Sequence, residues 1–141
     1  MIIYNNLVKF AVDIIDSITS KLLSDVKSDV NNVNKAQILY FLAKNREKFR
    51  LSEDIVKEYI SKKYRKYVKL IPLFKKIVTG NEDFLKSLIS KFVIDVSKKL
   101  VEKDIQYALI FMNDNVSREV LEWITENIVI IINALLEYNN F

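Results

Sequence analysis

Hydrophobic residues recur at helical spacing from one end of the 141-residue chain to the other. In the first segment, the apolar stripe has the i, i+4, i+7 periodicity of an amphipathic helix and consists of Leu7, Ala11, Ile14, Ile15, Ile18 and Leu22. Lys9, Asp13 and Asp16 lie off this stripe. We therefore expect a first helix that faces a core on one side and carries these charges toward solvent.

Helix start and stop signals divide the rest of the chain. The polar stretch 24–34 predicts a loop, because Ser, Asp and Asn side chains compete for backbone hydrogen bonds. Asn34 with Gln37 three residues on resembles a capping box and predicts a second helix to about residue 49. Ser52, followed by two acids, predicts the start of a third helix. Gly80 predicts a helix end, with a new helix starting at Asn81 or in the acids that follow.

The third and later helices follow from their apolar stripes. The third is expected to turn eight residues inward: Ile55, Val56, Tyr59, Ile60, Tyr64, Tyr67, Val68 and Ile71. Pro72 marks the end of this helix, a kink, or the opening of a separate short helix. The next stripe consists of Leu85, Leu88, Ile89, Phe92, Val93, Val96 and Leu100. A short helix over 104–112 then leads to a last helix for which Ser117 is the expected cap.

The last helix is apolar nearly all round. Its main seam has a strict 3-4 spacing and runs through Leu121, Ile124, Ile128, Ile131, Leu135 and Tyr138. Two interpretations stay open: the helix is the buried centre of a bundle, or the seam from Leu121 to Leu135 is a surface for self-association or for a protein partner. The predicted fold is an all-α bundle of six or seven helices in a single domain, 1–141, with a buried C-terminal helix.

The composition removes most other classes of protein. With one Gly and one Pro, the chain lacks the turn residues that an all-β fold needs. Without Cys or His it lacks the usual nucleophile pairs and most metal ligands. Glu119, Glu122 and Glu126 line one helix face and are candidates for a hard metal ion, but such acids more often solvate a helix. We expect no enzyme activity, no catalytic residue, no cofactor and no metal.

Apolar runs are short and no basic start precedes them. The longest, 128–132, is far below the ~20 residues of a membrane span. The first residues do not have the pattern of a signal peptide. We expect a soluble, cytoplasmic protein.

Charge is unevenly distributed. Residues 44–76 carry twelve basic and four acidic residues, whereas 104–141 carry one basic and six acidic residues. Several basic residues recur at three, four or seven positions and can share one exposed helix face. The predicted nucleic-acid-binding residues are Lys62, Lys63, Arg65, Lys66, Lys69 and Lys76, extended by Arg46 and Arg50.

Three interpretations of this basic face stay open. It can bind the phosphates of a single strand or an RNA-containing duplex, meet an acidic protein surface, or merely solvate a helix. Contact with about five phosphates of a single strand predicts a slope of log K against log salt near −3.5. The acidic end can also dock on the basic face of a neighbouring copy.

Seven of the 16 aromatic residues fall between residues 40 and 74, where they can stack unpaired bases or pack in the core. Tyr64 and Tyr67 share the stripe of Ile60 and Val68, which favours packing. Tyr59 is less constrained.

The stretch 64–92 resembles the small helical subunit of type III CRISPR effector complexes. The similarity lies in a basic aromatic segment leading to Lys69–Pro72, the turn at Gly80 and Asn81, and the Leu-rich helix over 85–91. The chain departs from the family pattern at Ile71, which separates Leu70 from Pro72, and in having Gly-Asn rather than Asn-Gly at the turn. The resemblance implies a non-catalytic subunit that lies along a guide–target duplex or displaced strand. The alternative is a protein-interaction or structural module, for example one encoded by a virus or plasmid.

Overall fold

Seven α-helices and two short 3-10 helices follow one another in the computed structural model, which describes residues 2–27, 32–63 and 65–138. The α-helices are α1 (Ile2–Lys27), α2 (Lys35–Lys44), α3 (Glu53–Lys63), α4 (Ile71–Val78), α5 (Glu82–Lys103), α6 (Ala108–Phe111) and α7 (Asp114–Glu137). The 3-10 helices are Arg65–Leu70 and Ile105–Tyr107. The described chain has no strand, and the predicted all-α bundle is confirmed.

Helix α7 is the centre of the bundle. It packs against α2, α3, α4, α5 and α6, so its apolar surface is covered on several sides. Ile124, Ile128 and Ile131 are fully buried, and Leu135 is nearly so. These four residues cannot serve as a surface for a partner while the bundle is folded, which corrects the alternative that gave the seam to an interaction. Leu121, the remaining residue between Leu121 and Leu135 that was assigned to this surface, is half-buried.

Three predicted helix boundaries with local capping signals are confirmed, but α2 ends at Lys44 and not near residue 49. Asn34 and Gln37 form a complete capping box at the start of α2. Gly80 has a φ of 78°, the left-handed conformation that favours glycine after a helix, and the Asn81 side chain accepts a hydrogen bond from the backbone N–H of Phe84. Ser52 Oγ likewise accepts from the backbone N–H of Ile55.

The third predicted helix is shorter than its periodicity indicates. Helix α3 ends at Lys63, the chain changes to a 3-10 helix over Arg65–Leu70, and Pro72 lies in the first turn of a separate helix, α4. A 3-10 helix has about three residues per turn, so side chains spaced for an α-helix no longer share one face across 62–76. Ile55, expected inside, is exposed. Tyr64 and the side chain of Tyr67 lie outside the described residues.

The cap of α7 is Asn113 rather than Ser117. The Asn113 side chain accepts hydrogen bonds from the backbone N–H groups of Asn115 and Val116. Ser117 lies inside the first turn, where its hydroxyl donates to the carbonyl of Asp114. Both residue types are good caps, and Asn113 comes first in the chain.

Asp16 is buried rather than solvent-facing. Tyr107 Oη donates to its Oδ1 at 2.6 Å, and Lys35 Nζ does so at 2.9 Å. Burial would raise the pKa of Asp16, but the hydrogen bonds from Tyr107 and Lys35, with the charges of Lys35 and Lys103, outweigh it and lower the pKa. Burial and the bond to Asp16 raise the pKa of Tyr107. This polar cluster ties α1 to the start of α2 and to the segment after α5.

None of the helices in these three ranges is long and apolar enough to cross a membrane.

Candidate nucleic-acid interface

The loop 45–52, between α2 and α3, is held against α7 by buried polar groups. Asn127 is fully buried, and its Oδ1 accepts from the Leu51 backbone N–H at 2.9 Å. Its Nδ2 donates to the Trp123 carbonyl at 2.7 Å. Trp123 Nε1 donates to the Phe49 carbonyl at 3.4 Å. The loop therefore has a defined position even though it carries no helix of its own.

Arg46 on this loop meets three carboxylates of α7. Its Nη1 lies 3.5 Å from Glu119 Oε2 and 3.1 Å from Glu122 Oε2, and its Nε lies 3.5 Å from Glu126 Oε1. The acids are spaced at three and four residues, so they share one face of α7. They hold a guanidinium, and the described chain has no group of three or more acids arranged for a metal ion.

The pairing of Arg46 corrects its place among the predicted phosphate-binding residues. Three carboxylates surround one guanidinium, so an incoming phosphate meets net negative charge there. A shallow depression of about 300 Å³ beside Arg46 is lined by both signs of charge, including Lys44, Lys48, Glu47 and Glu119. This part of the loop is not a uniform anion site.

Two further cations of the basic region also contact the acidic end of the chain. Lys57 Nζ lies 3.6 Å from Glu137 Oε2. Lys75 Nζ donates to the Tyr138 backbone carbonyl at 2.9 Å. The acidic end is thus docked on part of the basic region of its own chain.

Other basic side chains remain exposed. Arg65, Lys69 and Lys76 are exposed and form no ion pair within the described ranges. Lys62 is exposed and, within the described part of the chain, pairs with Glu58, one turn earlier on α3, at 2.6 Å. The side chains of Lys63 and Lys66 lie outside the described residues.

The exposed cations fall into two groups rather than one ridge. The first, which we name the segment group, comprises Lys62, Arg65, Lys69 and Lys76 on three consecutive elements, where the 3-10 helix contacts both α3 and α4. The second, the loop group, comprises Lys48 and Arg50, both exposed. In the chain, most of the 11-residue helix α3 lies between the loop group and Lys62, the first residue of the segment group.

The described aromatic side chains of the region differ in burial. Tyr59 is half-buried, with its ring 5.5 Å from that of Phe10, and Phe74 is buried. Tyr40 is covered by the Lys44 ammonium, 5.1 Å from its ring centroid. Phe41 is the exception, because 48% of its surface is exposed.

Sequence reasoning missed the role of Asn127 and the contacts of Arg46. A signal for each is present: Asn127 is an amide beside the apolar run 128–132, and the three glutamates form one acidic line on a helix expected to be central. Their partners lie more than 70 residues away in the chain and cannot be found from periodicity.

Comparison of the chain with protein-family models, with curated protein sequences and with solved structures finds no match. The resemblance to a CRISPR effector subunit therefore stays a prediction.

Proposed function

We propose that this protein is a non-catalytic, nucleic-acid-binding component of a larger assembly and that the segment group contacts phosphates. The observation that carries the proposal is the exposure of Arg65, Lys69 and Lys76 without a carboxylate partner among the described residues. A cation that is already paired with a carboxylate gains little binding free energy from a phosphate. An unpaired cation that binds a phosphate releases counterions condensed on the nucleic acid.

The distribution of acids supports the same proposal. The glutamates of α7 pair with Arg46 and Lys57, and Arg65, Lys69 and Lys76 have no carboxylate partner among the described residues. A basic face that only solvates a helix does not require the acids to pair elsewhere. A polyanion is attracted to the cations that have no carboxylate partner. The segment group lies on α3, on α4 and on the 3-10 helix between them. The buried side chains of Val68, Ile71 and Phe74 pack the 3-10 helix and α4 against the core.

The test is fluorescence anisotropy of labelled single- and double-stranded oligonucleotides at low and moderate salt. Three phosphate contacts on a single strand, one for each unpaired cation, predict a slope of log K against log salt of about −2.1. The triple variant Arg65→Glu, Lys69→Glu and Lys76→Glu is expected to weaken binding more than about tenfold.

A charge-matched control distinguishes this surface from net charge alone. Lys21, Lys86 and Lys98 are exposed on α1 and α5, and reversing them to Glu changes the net charge by the same amount. The control variant is expected to keep most of the affinity. Equal losses in both triple variants, or no binding by the unmodified protein at low salt, contradict the proposal.

A second candidate function is a protein contact. Ile105, Leu109 and Met112 are 75%, 52% and 80% exposed and lie within eight residues of the chain, on the 3-10 helix Ile105–Tyr107, on α6 and directly after α6. Large exposed apolar groups that lie together mark interaction surfaces. Light scattering of the protein and of a Leu109→Ser, Met112→Ser variant tests self-association through these residues: a shift to lower mass in the variant supports it.

A further inference from the structure

Phe41 is an aromatic side chain held in place but left open to solvent. It lies in the last turn of α2, between the buried Leu39 and Leu42, and 48% of its surface is exposed. The Phe49 ring lies behind it, with centroids 5.6 Å apart and planes at 54°. A half-exposed ring that contacts a second ring still has free surface on which a further planar group can stack.

The backbone around Phe41 is fixed. Asn45 donates to the Phe41 carbonyl from its backbone N–H at 3.1 Å and from its side-chain Nδ2 at 2.9 Å. Phe49 N–H donates in turn to the Asn45 carbonyl at 3.2 Å. The Phe49 carbonyl accepts from Trp123 of the core helix. The backbone that carries the two rings is thus ordered before any ligand arrives, which lowers the entropy lost on binding.

The loop group places two cations beside Phe49 in the chain, next to the mixed charges around Arg46. Lys48 and Arg50 are the direct sequence neighbours of Phe49, and both are exposed. Neither forms an ion pair within the described part of the chain. An open aromatic face beside cations is the combination that binds unpaired nucleotides, because the ring stacks on the base while the cations meet the phosphates.

We infer that Phe41 is a stacking platform for an unpaired base and that Lys48 and Arg50 bind the adjoining phosphates. This inference rests on the proposed function and narrows its ligand to single-stranded nucleic acid. Bases in a duplex are stacked on each other and offer no free face to Phe41. The segment group begins at Lys62, near the end of α3, and supplies the further phosphate contacts of the proposed function.

The experiment compares a labelled oligothymidine with an abasic strand of the same length, which keeps the phosphates and lacks the bases. The unmodified protein is expected to bind oligothymidine about tenfold more tightly. Phe41→Leu is expected to remove this preference while the affinity for the abasic strand is unchanged. Phe41→Tyr retains an aromatic ring and is expected to keep the preference.

Phe84 is a second exposed phenylalanine and provides the matched control for Phe41. It is 38% exposed at the start of α5 and follows two acids, Glu82 and Asp83, which repel phosphates. Phe84→Leu is expected to leave the preference for oligothymidine intact. Circular dichroism of each variant checks that the helical content is that of the unmodified protein.

The outcomes separate the inference from the proposed function. Equal affinity of the unmodified protein for the two strands, with salt-dependent binding retained, overturns stacking and leaves phosphate binding in place. Loss of the preference in Phe84→Leu as well as Phe41→Leu also overturns the assignment to Phe41. Absence of binding to both strands at low salt overturns the proposed function and the inference together, and leaves Phe41 as an exposed contact for a protein.

Discussion

The loop 45–52 and the segment 65–76 are both rich in positive charge, but they differ in their contacts with the carboxylates of α7. In the loop, Arg46 is enclosed by three carboxylates of α7. In the segment, Arg65, Lys69 and Lys76 meet no carboxylate of the described chain. A count of charges along the sequence makes both regions basic, with three basic and one acidic residue in the loop and five basic and no acidic residues in the segment. The comparison teaches that the path of the acidic helix, as well as the local count of charges, decides which cations are available to a ligand.

The strongest way to break this comparison is to remove the anchor that holds the loop on α7. Trp123 is fully buried and donates to the Phe49 carbonyl. Trp123→Ala is expected to lower the free energy of unfolding by about 3–5 kcal/mol, because it leaves a large cavity and a lost hydrogen bond. Urea unfolding followed by circular dichroism measures the change.

Leu73→Ala serves as the control for that prediction, since Leu73 is half-exposed. Its effect is expected to stay within about 0.5 kcal/mol. Similar losses in the two variants would mean that Trp123 is not at the centre of the core.

A second, intermediate effect concerns the other enclosed charge, Asp16. Its lowered folded-state pKa means that its contribution to stability is present above the unfolded value, 3.8, and is lost as the pH falls through the folded value. Asp16→Asn is expected to lower the free energy of unfolding by about 1–3 kcal/mol at neutral pH. The difference between the two proteins is expected to shrink as the pH falls below 3.8.

Unfolding at several pH values between neutral and acidic measures this difference. Other carboxylates titrate in both proteins, so the subtraction isolates Asp16. A constant difference at all pH values would contradict the charged role of Asp16 in the cluster with Tyr107 and Lys35.

The third prediction has the smallest expected change in stability and tests the difference between the loop and the segment most directly. The triple variant Glu119→Gln, Glu122→Gln and Glu126→Gln releases Arg46 from its carboxylates. Because the pairs are partly exposed, stability is expected to change by less than about 1 kcal/mol. Single-strand binding is expected to tighten, with a salt slope steeper by about 0.7 as Arg46 gains a phosphate.

Two single variants complete this test in the unmodified background. Arg46→Ala is expected to leave the salt slope unchanged, whereas Lys69→Ala is expected to reduce its magnitude by about 0.7. A larger effect of Arg46→Ala than of Lys69→Ala would show that the enclosed cation is the one that binds.

The sequence predicts what is local and misses what connects distant residues. The capping box at Asn34 and the turn at Gly80 were predictable, because each depends on residues within four positions. The buried state of α7 was one of two alternatives, and its uniform apolar surface favoured the right one. The change of helix type after Lys63 was not predictable from an apolar stripe that continues through it.

The candidate site shows the same division. Exposure of Arg65, Lys69 and Lys76 followed from helical phase near each residue. The pairing of Arg46 with Glu122 joins residues 76 positions apart, and the burial of Asp16 depends on Tyr107, 91 positions away. Exposure of Phe41 was not predictable either, since its neighbours Leu39 and Leu42 are buried on the same helix.

The contact between Asn127 and Leu51 has a consequence for the order of events during synthesis. The two residues are 76 positions apart, so at about 5–20 residues per second the ribosome adds Asn127 roughly 4–15 s after Leu51. Until then, the Leu51 N–H and the Phe49 carbonyl lack the α7 groups that hold them, and α2 and α3 lack the helix that covers their apolar sides. The nascent chain therefore displays its basic loop in an unanchored form for several seconds, and the ring pair of Phe41 and Phe49 is fixed only when α7 has been made.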